Sequence, residues 1–330
     1  MTPTGGVLGL KFADRTFRFV QLTEHDDGPH LTAAGAGLIP FHTKYRGQLS
    51  TEGTDRLVEA LDRALDRDGI ERGRTVVVMD GVSVLRAVFP VMPAEAEDSE
   101  GLQERARWEL DRRRTGTDRA DQLQMTCMVR GERGGYTVVD AWGAYPGALE
   151  NFERVVQGVG CEVALWDCDP WALGRLFERY TEPGERHEPT VIVHLEAEGM
   201  VLELLDAAGA VGLTAPRAEE PGPFRRTWDP DDAEEIAHEI ARWIAKLRER
   251  WLPEMRPERS EVVRLLFTGS VDDSDHLLAA LTRALPMRIE ELQLQRILGI
   301  APGVANSPMI RSNLGAFAFP VGGALALLSP

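Results

Sequence analysis

Cysteine is scarce in this chain. Cys127, Cys161 and Cys168 are the only three in 330 residues. They form no C-x2-C pair of the kind that opens a zinc site, and an odd, sparse set is not a disulfide framework. They read as small buried apolar residues in a reducing compartment. Positive charge is also in deficit, with 37 Lys and Arg against 53 Asp and Glu and a formal net charge of -16. That balance excludes a whole-protein role on nucleic acid, whose phosphates demand local positive charge, and it disfavours docking on anionic lipid. No long apolar run is present. The most apolar stretch, Leu314–Leu328, is interrupted by Pro320, Gly322 and Gly323 and falls short of the roughly 20 residues a spanning helix needs. It reads as a buried terminal helix. Met1–Gly6 carries no basic segment and no apolar run of an export signal. There is no Walker-type G-x4-G-K-[ST], no H-E-x-x-H and no G-x-S-x-G. The expectation is a cytoplasmic protein that does not insert into the membrane directly.

What the chain does contain is a globular composition, 43% hydrophobic and 27% charged, with enough length for two domains. Val7–Phe12 and Arg15–Leu22 are short apolar or alternating runs about a tight turn, which predicts two strands, and Leu31–Ile39 a third. Leu57, Leu61 and Leu65 form one face of a helix over Thr54–Asp68, ended by Gly69. Thr75–Met79 is a buried strand. The pattern from Val82 to Asp167 is strand (Val84–Val91), helix (Ser99–Arg113), strand (Leu123–Val129), a turn at Gly131–Gly135, strand (Tyr136–Trp142), helix (Pro146–Gly158) and a closing strand (Glu162–Trp166). That order predicts a small α+β subdomain. A helix over Pro170–Tyr180 and a polar linker, Thr181–Glu188, follow.

The opening pattern then recurs. Thr190–Leu195, Met200–Leu205 and Ala210–Ala215 read as strands, and Pro230–Trp251 as a long helix capped by Asp229. Its start is acidic (Asp231, Asp232, Glu234, Glu235) and its end basic (Lys246, Arg248, Arg250), as the helix dipole favours. A strand over Val262–Phe267 and a helix over Asp273–Leu285 complete the second unit. A duplicated strand-turn-strand-strand-helix order, with both turns meeting at a cleft, predicts a two-lobed α/β fold.

Several segments, taken in order, resemble the PilM family of type IV pilus assembly proteins. These are Val7-Leu8-Gly9-Leu10 with Phe19-Val20-Gln21-Leu22, Val84-Leu85-Arg86-Ala87-Val88-Phe89-Pro90, and Ala106-Arg107-Trp108-Glu109-Leu110. Asp167-Cys168-Asp169-Pro170-Trp171-Ala172-Leu173 and Leu265-Leu266-Phe267-Thr268-Gly269-Ser270 complete the set. The resemblance implies a two-lobed actin-like (ribonuclease-H-like duplicated) α/β fold with an inserted α+β subdomain of SHS2 type. It implies a first lobe over 1–82 and 167–188, an insert over 83–166 and a second lobe over 189–330. It also implies a partner, the N-terminal cytoplasmic peptide of a PilN-like inner-membrane protein, beside other pilus platform proteins. The chain would then be recruited to the inner face of the membrane through that partner.

By the same resemblance the nucleotide cleft falls on Lys11, Ala13, Asp14, Arg15, His194, Glu196, Thr268, Gly269 and Ser270. The family has aspartates where this chain has Lys11 and His194, and glycines where it has Glu196 and Ser270. Magnesium needs carboxylate oxygens, and phosphates need close-lying backbone N–H groups. The expectation is therefore a degenerate cleft, no cofactor, no catalytic residue, no metal site and no enzymatic activity. ATP with Mg²⁺ stands as the alternative, with Asp14 or Glu198 taking over a metal role. Arg105, Arg107, Arg112, Arg113 and Arg114 around Trp108 read first as a solvated helix face offset by Glu104, Glu109 and Asp111.

Overall fold

The computed structural model describes residues 5–13, 16–39, 49–80, 84–112, 123–196, 199–206, 209–213, 232–251, 262–270 and 274–328. The chain begins with strands β1 (Val7–Phe12), β2 (Thr16–His25) and β3 (Gly28–Leu38), helix α1 (Thr51–Arg67) and β4 (Arg74–Met79). Next come β5 (Val84–Val91), α2 (Pro93–Glu97), α3 (Ser99–Arg112), β6 (Gln124–Arg133) and β7 (Tyr136–Ala144). Then follow α4 (Pro146–Gly158), β8 (Glu162–Cys168) and α5 (Asp169–Tyr180). The second half holds β9 (Thr190–Glu196), β10 (Gly199–Asp206), β11 (Gly209–Leu213), α6 (Ala233–Trp251), β12 (Arg264–Gly269), α7 (Ser274–Ala284) and β13 (Arg288–Glu291). It closes with β14 (Gly299–Ile300), α8 (Pro302–Ala305), α9 (Pro308–Asn313) and α10 (Ala318–Ala324).

The duplication is visible in the sheets. One has the order β14-β3-β2-β1-β4-β8 and the other β11-β10-β9-β12-β13. In each, three antiparallel strands are followed by two parallel ones. Parallel neighbours need a crossover, usually a helix. Helices α1 and α6 make the first crossover of each half, and α4 and α7 the second. This equivalence corrects the expected insert. Helix α4 and strand β8 do not close a six-element subdomain; they are the first sheet's own last crossover. Val76, Val77 and Val78 of β4 pair in parallel with Leu165, Trp166 and Asp167 of β8. The apolar face of α4 (Leu149, Phe152, Val155, Val156) enters the same core as Leu57, Leu61 and Leu65 of α1. Among the described residues the third sheet is β5-β7-β6, covered on one face by Leu102, Ala106 and Leu110 of α3.

Local chemistry explains most boundaries. The Ser50 side chain accepts the Gly53 N–H, so α1 begins at Thr51, three residues before its first leucine stripe suggests. Gly69, just past its end, has φ +67°. The β6–β7 turn is shorter than Gly131–Gly135: β6 runs to Arg133 past a bulge, and Gly134 and Gly135 turn the chain with φ +59° and +87°. The expected cap of α6 at Asp229 and Pro230 lies outside the described residues. Among those described, no helix is long and apolar enough to cross a membrane.

The terminal apolar segment is buried as expected, and it packs on the first sheet. β14 adds beside β3, and α10 lies against β1, β4 and α5. Phe317, Phe319, Val321 and Leu325 join Val7, Val76 and Val78 of the first sheet, Leu173 and Phe177 of α5, and Ile192 and Leu266 of the second sheet in one core between the lobes. Close approach requires glycine here. A Cβ on Gly9 of β1 would lie 1.9 Å from the Pro320 carbonyl oxygen, and one on Gly322 would lie 2.3 Å from that of Ala172. Gly9→Ala is therefore expected to push α10 off β1 and destabilise the chain by about 1–3 kcal/mol. Urea unfolding followed by tryptophan fluorescence measures this; an unchanged midpoint would show that α10 is not seated on β1.

Candidate functional site

The residues expected at the cleft sit where the ends of three strands meet. Lys11 is in β1, with Ala13 just beyond it; His194 and Glu196 are in β9; Thr268 and Gly269 end β12, with Ser270 next. Asp14, Arg15 and Glu198 lie outside the described residues. The others are brought together, but each is engaged by the protein itself.

Lys11 is the clearest case. Its side chain is 2% exposed and its Nζ donates to Asp169 Oδ1 at the start of α5. The same Nζ lies 4.9 Å from the ring centroid of Phe319, which packs against the His194 ring at 4.0 Å. Arg18 is the cross-strand partner of Lys11 in β2. It reaches over to the second lobe, with Nη1 2.5 Å from Glu196 Oε1 and Nη2 3.4 Å from Ser270 Oγ. His194 Nε2 is 3.1 Å from the same Glu196 oxygen. Two cations from the first sheet are thus matched by one acid on α5 and one on β9.

The third turn is closed in a similar way. Gly269 has φ +124°, and a Cβ there would lie 2.0 Å from the Leu195 carbonyl oxygen. The glycine thus lets the end of β12 approach the end of β9. The Ser270 N–H then donates to Leu195 O at 2.8 Å, and Thr268 Oγ1 lies 3.4 Å from Gly315 O. In the first turn, the Ala13 N–H donates to Thr16 O at 2.8 Å. Backbone donors that a phosphate would require at these two positions are already used.

Burial dominates the electrostatics. It raises the Asp169 carboxyl to about 7 despite Lys11 beside it. Burial would raise Glu196 too, but the Arg18 guanidinium and the His194 ring hold it well below the usual carboxylate range. Burial lowers His194, so its ring is neutral at pH 7. With Nε2 facing Glu196, the proton belongs on Nε2, and among the described residues the buried Nδ1 has no hydrogen-bond partner. Among the described residues no group of three or more His, Cys, Asp or Glu is placed to hold a metal. A nucleotide would have to displace Asp169 and Glu196 from the two cations, and Mg²⁺ would meet an ammonium where it needs an oxygen ligand. The described residues do not fit a magnesium nucleotide.

Sequence reasoning missed Arg18, Asp169 and Phe319 as members of this site. The available signal was Lys11 itself: a cation in the middle of an apolar strand needs a counter-charge. Elsewhere, Arg105 and Arg112 both pair with Glu109 and stack on opposite sides of Trp108 in sequence, each 4.6 Å from its ring, on an exposed face of α3. Arg113 and Arg114 lie outside the described residues. Cys161 and Cys168 are buried, Cys127 is half-buried, and none is in a disulfide.

No family model and no curated protein matches this chain. Among solved structures it is similar to a chain of the PilM–PilN type IV pilus biogenesis complex, at 17% identity over 98% of this chain and 99% of that one, with a TM-score of 0.75. It also matches the ethanolamine utilization protein EutJ from Carboxydothermus hydrogenoformans at 9% identity, 98% and 90% coverage and a TM-score of 0.50. The cytoplasmic domain of EpsL, an inner-membrane component of the type II secretion system of Vibrio cholerae, follows at 11% identity, 98% and 97% coverage and 0.47, too distant to bear on function. At these identities the likeness establishes the fold, which is actin-like and two-lobed over nearly the whole chain.

The pairing of Lys11 and Asp169 yields a signed prediction. Lys11→Met leaves Asp169 buried without a partner and is expected to cost about 3–5 kcal/mol at pH 8. The Asp169 carboxyl lies above its unfolded value even with Lys11 present, so burying its charge is penalised as pH rises through about 7. The loss should therefore shrink at pH 5, where the acid is protonated. Lys11→Met with Asp169→Leu should restore stability at both pH values. Urea titrations of the two variants at pH 5 and pH 8 check this; a pH-independent loss would separate Asp169 from Lys11.

Proposed function

We propose that this chain is a non-catalytic scaffold of a type IV pilus or related secretion platform at the inner membrane. It would hold the cytoplasmic N-terminal peptide of a PilN-like membrane protein, and be recruited to the inner face of the membrane by it. The observation that carries the reading is the end-to-end likeness to a chain of the PilM–PilN complex. In this reading the peptide lies near the insert, where the three-stranded sheet adjoins the first lobe. An extended segment suits such a place, because among the described residues the outer strands β5 and β6 each have only β7 as a partner in their sheet. The cleft serves as a joint rather than a nucleotide site, its cations satisfied by Asp169 and Glu196.

A second reading, an ATP-binding switch of the same fold, has one observation in its favour. Lys11 and Arg18 are cross-strand neighbours at the cleft, a pair of cations that phosphate would attract. Calorimetry separates the two. The scaffold reading expects heat with a synthetic peptide of the PilN-like N-terminus, at a Kd near 1 μM or about −8 kcal/mol, and none with millimolar ATP and Mg²⁺. Tight binding of Mg²⁺–ATP would establish the switch instead. Silence with the peptide would remove the PilN-like partner.

A further inference from the structure

A second set of buried charges lies away from the cleft, where the insert, α5 and the second lobe meet. Arg86 of β5 grips Asp140 of β7 with two bonds, Nε to Oδ1 at 2.8 Å and Nη2 to Oδ2 at 2.7 Å. Its remaining nitrogen, Nη1, crosses to Glu203 Oε1 of β10 at 2.6 Å. Arg130 of β6 and the indole N–H of Trp171 on α5 also donate to Asp140 Oδ2, at 3.2 Å and 2.8 Å. Side-chain exposure is 5% for Arg86 and 0% for both acids.

The two acids are held very differently. Asp140 has partners from three elements, and Arg86 and Arg130 keep its carboxyl below its ordinary value against the pull of burial. Among the described residues Glu203 is held by Arg86 alone and its buried Oε2 has no hydrogen-bond partner, and burial raises its carboxyl to about 7. The charged and titratable groups facing Glu203 are Arg86, Asp140 and Arg130 of the insert. Cys168, at the end of β8, feels Arg86 and Asp140 from the first-lobe side. If the insert and the second lobe part, Arg86 stays satisfied by Asp140, while Glu203 gains the water it lacks. The contact is built to break on one side.

We propose that Arg86 and Glu203 form a one-sided latch that docks the insert onto the second lobe, with Glu203 the arm that releases. The inference is independent of the function proposed above, since it needs neither partner nor nucleotide. Its pH dependence has a definite sign. An acid raised from 4.5 to about 7 by docking favours the docked state when protonated, and that advantage is lost as pH rises through about 7. Between pH 6 and pH 8 the docking equilibrium should move about tenfold toward release.

Spin labels at Glu104→Cys on the insert and Thr282→Cys on the second lobe, in a Cys127→Ser background, report the distance by pulsed electron resonance. For the otherwise native chain the distribution should be broader at pH 8 than at pH 6. Glu203→Gln keeps an acceptor for Arg86 and removes the titration, so its distributions at the two pH values should coincide. Glu203→Ala removes the arm and should broaden the distribution at both. Should the alanine variant fail to fold, the loss of pH response in Glu203→Gln still decides the matter. One superimposable distance in all of these proteins at both pH values would overturn the latch.

Discussion

A buried ammonium cannot be left without a counter-charge, and much of this molecule is arranged around that constraint. Lys11 stands in β1, the strand flanked by both β2 and β4, with almost no access to water. Its acid comes from the first residue of α5, which fixes that helix against the first sheet. The aromatic ring over it comes from α10, and the same ring packs on His194 of the second sheet. One charge thereby draws together an early strand, the helix between the lobes and the terminal helix. Arg18, its neighbour across the β1–β2 pair, extends the arrangement to Glu196.

The two polar joints of the structure follow different logics. At the cleft, each cation from the first sheet has its own acid; opening the lobes would strip Arg18 from Glu196 and leave Lys11 with Asp169. At the insert, the charges are unevenly shared: Asp140 is saturated and Glu203 is not. Buried ion pairs seldom add net stability, because desolvation cancels most of the attraction. Their value here is geometric, since a pair satisfied in only one arrangement selects that arrangement.

Local pattern made much of the fold legible. The leucine stripe of α1, Pro146 at the start of α4 and the repeated strand-turn-strand order all stand in short stretches of sequence. The assignment of α4 and β8 did not, because membership of a sheet is decided by a distant neighbour: β8 lies beside β4 only after the whole insert has been looped out. The short strands β13 and β14 carry too few residues for any period. At the site, the positions that meet were legible and their partners were not. Lys11 finds Asp169 across 158 residues and Arg18 finds Glu196 across 178, separations at which no spacing rule operates.

The seat of α10 bears on how the chain comes off the ribosome. Strands β1, β2 and β4 are made early and can pair with one another, and α1 covers one face of their sheet soon after. The other face, with Val7, Val20, Val76 and Val78, gains its last cover only from residues 317–325. Until those residues emerge, the growing polypeptide carries an apolar sheet face that water wets and other nascent chains find. Such surfaces are where chaperones bind and where aggregation starts. Losing residues 317–325 would therefore reach the first strand of the protein, as an insoluble product rather than a soluble one.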